Sequence, residues 1–116
     1  MFTAYLIITV IAILANAGMA VADFLRAEFV LTNSAAVGLP RTWLPWLAAL
    51  KAAGAAGLVL GLMRVPVIGV AAATGLVLFF IGAIAAHVRA RRYDTIAFPG
   101  AYLGLATAAL VLGVVR

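Results

Sequence analysis

A lysine in the middle of an apolar stretch is the residue this chain most needs to explain. Lys51 lies within Trp43 to Leu62, WLPWLAALKAAGAAGLVLGL, and a twenty-residue helix rises about 30 Å, the thickness of a bilayer's hydrocarbon core. An ammonium at that depth costs roughly 2.5–3.5 kcal/mol on insertion scales, so it calls for a counter-charge, a ligand or water rather than lipid. Of the three acids, Glu28 and Asp94 fall in loop segments, whereas Asp23 ends the first apolar run, in line with Asn16 and three residues before Arg26. The single histidine, His87, ends the third run, two residues before Arg89. A carboxylate, an ammonium and an imidazole at one end of a bundle can pass protons, while Lys51 and Arg89 can polarise a carbonyl or hold an anionic oxygen. Asp23, Lys51 and His87 are therefore the candidates for catalysis, and Asn16, Asp23, Arg26, Trp43, Lys51, His87 and Arg89 the candidate ligand-binding set. The competing explanation is internal: Asp23 neutralises Lys51 or Arg26, and the other charges reach out to headgroups.

The elements that must position these groups are transmembrane helices. The chain has 116 residues, 68% hydrophobic and 9% charged, with a mean hydropathy of +1.28, against about 25% charged residues in soluble domains. That describes one integral membrane domain of about four spans, with nothing left over for a soluble module. The net charge of +5 rests on a few basic residues at helix ends, which read as topology signals and not as a nucleic-acid surface. The absence of cysteine excludes disulfides, thiol catalysis, covalent haem attachment and cysteine-ligated clusters. One histidine and three acids argue against a metal site within one chain.

Apolar runs place the spans at about residues 2–22, 43–63, 67–88 and 98–115. Ala20-Val21-Ala22 resembles a signal-peptide cleavage site, but no basic region precedes the run, and the run exceeds a typical signal core; it reads as a span. Tyr5, Thr9, Ala12, Asn16 and Asp23 share one stripe of the first helix. The stretch from Asp23 to Thr42 is too apolar for a solvated loop and too short and polar to span. It is expected to be an interfacial or re-entrant segment, a lid in which Phe24, Leu25, Phe29, Val30 and Leu31 dip into the membrane. Trp43 and Trp46 mark the interface.

On the second span, Leu47, Lys51, Gly54, Leu58 and Gly61 share a side with Gly57 at its edge, a small-residue face suited to a neighbouring backbone. The short turn at Arg64-Val65-Pro66 makes spans two and three antiparallel neighbours. On the third span Gly75 and Gly82 are expected to form a packing face, with Phe79, Phe80, Ala83 and His87 on another. On the fourth, opened by Phe98-Pro99, that role is expected of Gly100, Gly104 and Thr107. The predicted fold is all-α: an antiparallel four-helix bundle. Loops one and three hold Arg26, Arg41, Arg89, Arg91 and Arg92, against Arg64 and Arg116 at the other end, so the positive-inside rule places those loops in the cytoplasm and both termini outside.

Several stretches resemble a known family. ANAGMAVADFLR, GLPRTWLPWLAALKAAGAAGLVLGL, GLVLFFIGAIAAHVRARR and the Phe98-Pro99-Gly100 before span four are similar to the DoxX-like family of small four-helix bacterial membrane proteins. The informative residues are Asp23 with Arg26, Trp43, Lys51, Gly54, Gly57, His87 with Arg89, and Phe98-Pro99. The resemblance implies a bacterial inner-membrane location and an association with quinone-coupled oxidoreductases and sulfur or redox-stress metabolism. It lends a fold more firmly than a function.

Two function classes follow. In one, the pocket binds a lipid-soluble molecule with a polar head, a quinone or an isoprenoid, without a covalent cofactor. In the other, the protein is a non-catalytic subunit or scaffold whose glycine faces dock a second copy or a membrane oxidoreductase partner. In both, the lipid bilayer is the surrounding medium.

Overall fold

The computed structural model describes residues 2–25, 28–63, 65–94 and 96–115 and, within them, every side chain except those of Glu28, Phe29, Asn33, Ser34 and Arg41. The elements are α1 (Phe2–Phe24), α2 (Glu28–Ala36), a 3-10 turn (Arg41–Trp43), α3 (Leu44–Leu62), α4 (Pro66–Arg89) and α5 (Ala97–Val115). Four of these, α1, α3, α4 and α5, are long and apolar enough to cross a bilayer. The protein is a multi-pass membrane protein built as the expected four-helix bundle, with each long helix packed on two neighbours in the cyclic order α1, α3, α4, α5.

Contacts along the helices fix their directions. Tyr5, at the start of α1, lies beside Gly61 at the end of α3 and Gly113 at the end of α5, whereas Asp23 meets Lys51 near the start of α3. Neighbours are therefore antiparallel. The α1 stripe read from the sequence is the buried one: Tyr5, Thr9, Ala12, Asn16, Ala20 and Asp23 all face inward. Ala12 joins Leu58, Ala73, Leu76, Phe80 and Ala106 in the apolar core.

At the α3–α4 crossing the two helices come into backbone contact. A Cβ placed on Gly61 would stand 2.6 Å from the Cα of Gly69, and one on Gly69 would stand 2.8 Å from the Cα of Gly61, so the two backbones touch with no side chain between them. A Cβ on Gly57 would lie 2.5 Å from the Cβ of Ala72, and one on Gly54 would run into the side chain of Leu76. The glycine side of α3 is thus a packing side, as its spacing predicts.

The glycines of α4 and α5 correct the reading. A Cβ on Gly75 or Gly82 would meet nothing within 4 Å, because α4 turns Gly69, Ala73, Leu76, Phe80 and His87 inward. Gly75 is one residue from Leu76, and so about 100° round the helix. On α5 the buried residues are Pro99, Ala106 and Ala109, while Gly104 and Thr107 are exposed and Gly100 has open space beside it. A lipid-facing helix side has only to be apolar, so small residues there do not identify a packing face.

Between α1 and α3, the segment expected to cover the bundle end holds α2. Val30 on α2 and Val37 just after it are buried, whereas Phe24 and Leu25 are exposed. Phe29 and Arg26, which belong to the same expectation, have side chains outside the described residues. At the other corner of this end, α4 stops in a Schellman turn: Arg91 takes φ 56°, its N–H donates to Val88 O (3.1 Å), and the Arg92 N–H donates to His87 O (2.9 Å). This left-handed position usually holds glycine. Here it holds arginine, and the last turn of α4, with His87 in it, is firmly closed.

Candidate functional site

At the end of the bundle where α1 and α4 finish and α3 and α5 begin lies a cavity of about 530 Å³, within the range of roughly 300–1,000 Å³ usual for small-molecule sites. Most of its wall is apolar. Val30 and Val37 close it from the connecting segment, Leu44, Leu47 and Leu50 come from α3, Phe79 and Phe80 from α4, and Phe98 and Pro99 from α5.

The polar part of the wall is the group read from the sequence. The Lys51 ammonium donates to Asp23 Oδ2 at 2.7 Å, with the two side chains only 11% and 3% exposed. The register of each helix produces this meeting, because the inward stripe of α1 ends at Asp23 and the packing side of α3 carries Lys51 about two turns below its start. The ammonium also lies 5.6 Å from the centre of the Phe79 ring, a distance at which the ring quadrupole attracts a cation. The pair is a net-neutral dipole set into an apolar wall.

His87 is 5% exposed and also lines the cavity. Its Nδ1 lies 2.8 Å from the carbonyl oxygen of Ala83. A carbonyl only accepts, so Nδ1 carries the proton of that bond. Nε2 is buried and has no hydrogen-bond partner among the described residues. Trp43 and Arg89 reach the same cavity from more exposed positions at its edge. The structure therefore brings Asp23, Lys51, His87, Arg89 and Trp43 together. Asn16 is set apart in the helix core, fully buried, its Nδ2 donating to Ala12 O at 2.9 Å, and it is not part of the wall. Arg26 lies outside the described residues.

Tyr102 was not singled out from the sequence, and it belongs to the wall. Its hydroxyl donates to Ala15 O at 3.2 Å, tying α5 to α1, and its ring lies 5.2 Å from that of Phe80, tilted 45°. Phe79 and Phe80 meet edge to face at 5.0 Å, so three rings form one side of the cavity. The available signal was a tyrosine inside a span, an apolar body whose polar tip needs a partner. It was easy to pass over because α5 carries no charge to draw attention to it.

Chemically, the arrangement suits an amphipathic guest. The apolar wall removes a hydrocarbon or ring body from lipid or water at little cost in polar desolvation, and the few polar groups fix the orientation of a head. No curated protein and no solved structure matches the chain. A family model, that of the DoxX-like family, matches residues 7–109, a span that includes every described residue of the candidate set, from Asn16 to Arg89. The four-helix architecture and that match together place the protein in the DoxX-like family.

Proposed function

We propose that this protein binds a lipid-soluble molecule with a polar head, of the quinone or isoprenoid kind, in the cavity at the α1–α4 end, and that it serves membrane redox metabolism. The observation that carries the reading is the Asp23–Lys51 pair set in the wall of a mainly apolar cavity of ligand size. In this reading Lys51 and Arg89 hold or polarise an oxygen of the head, Asp23 or His87 passes protons, and the aromatic wall takes a ring or the first part of a chain. A quinone, when bound, supplies two-electron chemistry. The segment carrying α2 lies in the membrane interface and covers the site. The test is mass spectrometry of small molecules extracted from protein purified out of native membranes. A stoichiometric quinone or isoprenoid supports the reading, and protein free of any such molecule that also fails to take up added ubiquinone or menaquinone removes it.

The second reading, a non-catalytic subunit or scaffold, is favoured by Gly75 of α4 and Gly104 of α5, which are exposed and leave room beside them for a neighbouring helix. A stoichiometric partner protein copurifying without a small molecule favours it over the first.

We further propose that the cavity end faces the cytoplasm in a bacterial inner membrane, with both termini outside. Five arginines, Arg26, Arg41, Arg89, Arg91 and Arg92, flank that end in the sequence, against Arg64 and Arg116 at the other. A reporter active only in the periplasm, fused at the C-terminus, is expected to be active. Activity of a cytoplasm-specific reporter at the same position inverts the assignment.

A further inference from the structure

The wall of the cavity contains an acceptor that the protein itself leaves empty. His87 Nδ1 is committed to the carbonyl of Ala83, so in the uncharged ring Nε2 presents a bare lone pair. That atom is buried without a partner among the described residues, and a buried acceptor without a donor is unfavourable enough that such groups are nearly always completed. The donors of the wall do not complete it: the Lys51 ammonium is turned to Asp23 at 2.7 Å, the Tyr102 hydroxyl donates to Ala15 O, and Trp43 and Arg89, exposed at the cavity edge, make no hydrogen bond to Nε2. The carboxylate of Asp23, with lone pairs beyond the one that Lys51 uses, is also an acceptor.

We infer that the cavity selects ligands whose head carries a hydroxyl, an alcohol, phenol or hydroquinone, over the carbonyl or ether of the same skeleton, and that His87 Nε2 is the specificity-determining acceptor. An O–H donates to that lone pair, whereas a carbonyl or ether oxygen meets it with a second lone pair. For a redox couple of the quinone kind this means that the reduced form is held more tightly than the oxidised one. The inference rests on the pocket reading above and adds to it the chemistry of the head.

The test compares 4-nonylphenol with 4-nonylanisole, in which a methyl group replaces the proton on the phenol oxygen and so removes the donor. The ring suits a wall built from Phe79, Phe80 and Tyr102. Binding is measured at pH 8.5 to the full chain in phosphatidylcholine nanodiscs, with partition into empty nanodiscs subtracted. The phenol is expected to bind about tenfold more tightly, the scale of one hydrogen bond completed. His87→Leu is expected to abolish the preference, so that the phenol and the anisole bind with equal affinity. His87→Gln, which keeps an acceptor oxygen, is expected to retain part of the preference. Equal binding of the two probes by the wild-type protein overturns the inference and leaves the pocket reading standing. So does a preference that survives His87→Leu undiminished. Failure of both probes to bind removes the pocket reading and the inference with it. The wild-type comparison decides even where the leucine variant does not fold.

Discussion

Removing either member of the Asp23–Lys51 pair is expected to cost the bundle about 3–5 kcal/mol, and removing both to cost less than removing one. The two charges stand 2.7 Å apart with their side chains almost wholly enclosed. In Asp23→Asn the ammonium keeps its depth and loses its counter-charge, and in Lys51→Met the carboxylate is left in an apolar wall. Each single variant therefore carries an unpaired buried charge, which the double variant lacks. A double-mutant cycle on detergent-solubilised protein, read by thermal or denaturant unfolding, measures the coupling directly. Losses that simply add would mean that the two residues act independently, and the pair would then not be the element that joins α1 to α3.

The second large effect is expected at the crossing of α3 and α4. A methyl group on Gly61 has to enter the space of the Gly69 backbone, which cannot rotate away, so Gly61→Ala is expected to lose about 1–3 kcal/mol and Gly61→Leu several. Gly57→Ala, facing Ala72, should cost slightly less. Gly54→Ala should cost less again, because the side chain of Leu76 can shift. Gly75→Ala and Gly82→Ala, with open space beside them, should be neutral or gain up to about 1 kcal/mol from helix propensity. The order of the series is the check, measured as loss of helical signal on titration with a denaturing detergent. If Gly61→Ala is as well tolerated as Gly75→Ala, the two backbones are not in contact.

The four spans, the inward stripe of α1 and the meeting of Asp23 with Lys51 were legible in the sequence because each rests on a cost that the membrane makes large. A lysine at depth needs a partner, polar groups need the inside, and few acids were available to serve. The packing glycines of α3 were legible for a related reason: they share a side with that lysine, which has to face protein. Gly75, Gly82, Gly100 and Gly104 were misread because apolar small residues are as acceptable to lipid as to a neighbouring helix, so their spacing does not mark the inward side. Tyr102 went unread because its role depends on a carbonyl of another helix, Ala15 O, and no periodicity within α5 points to that. The placement of Asn16 in the core rather than in the cavity wall depends on where the cavity stops: on α1 its lining begins at Met19 and ends at Asp23.

The order of Asp23 and Lys51 along the chain bears on how the protein enters the membrane. Synthesis runs from the N-terminus, so α1 reaches the insertion machinery first and its carboxylate is already in place when α3 follows. Among the four spanning helices α3 has the lowest hydropathy, and as a solitary segment it would be the one most prone to remain outside the bilayer. With α1 as a waiting partner, the lysine can leave the aqueous channel directly into an ion pair, and the Gly61–Gly69 crossing lets α3 and α4 enter together as a closed hairpin. The order of the chain thus suits insertion: the spanning helix of lowest hydropathy follows the helix that carries its counter-ion and comes just ahead of the one it meets at Gly61 and Gly69.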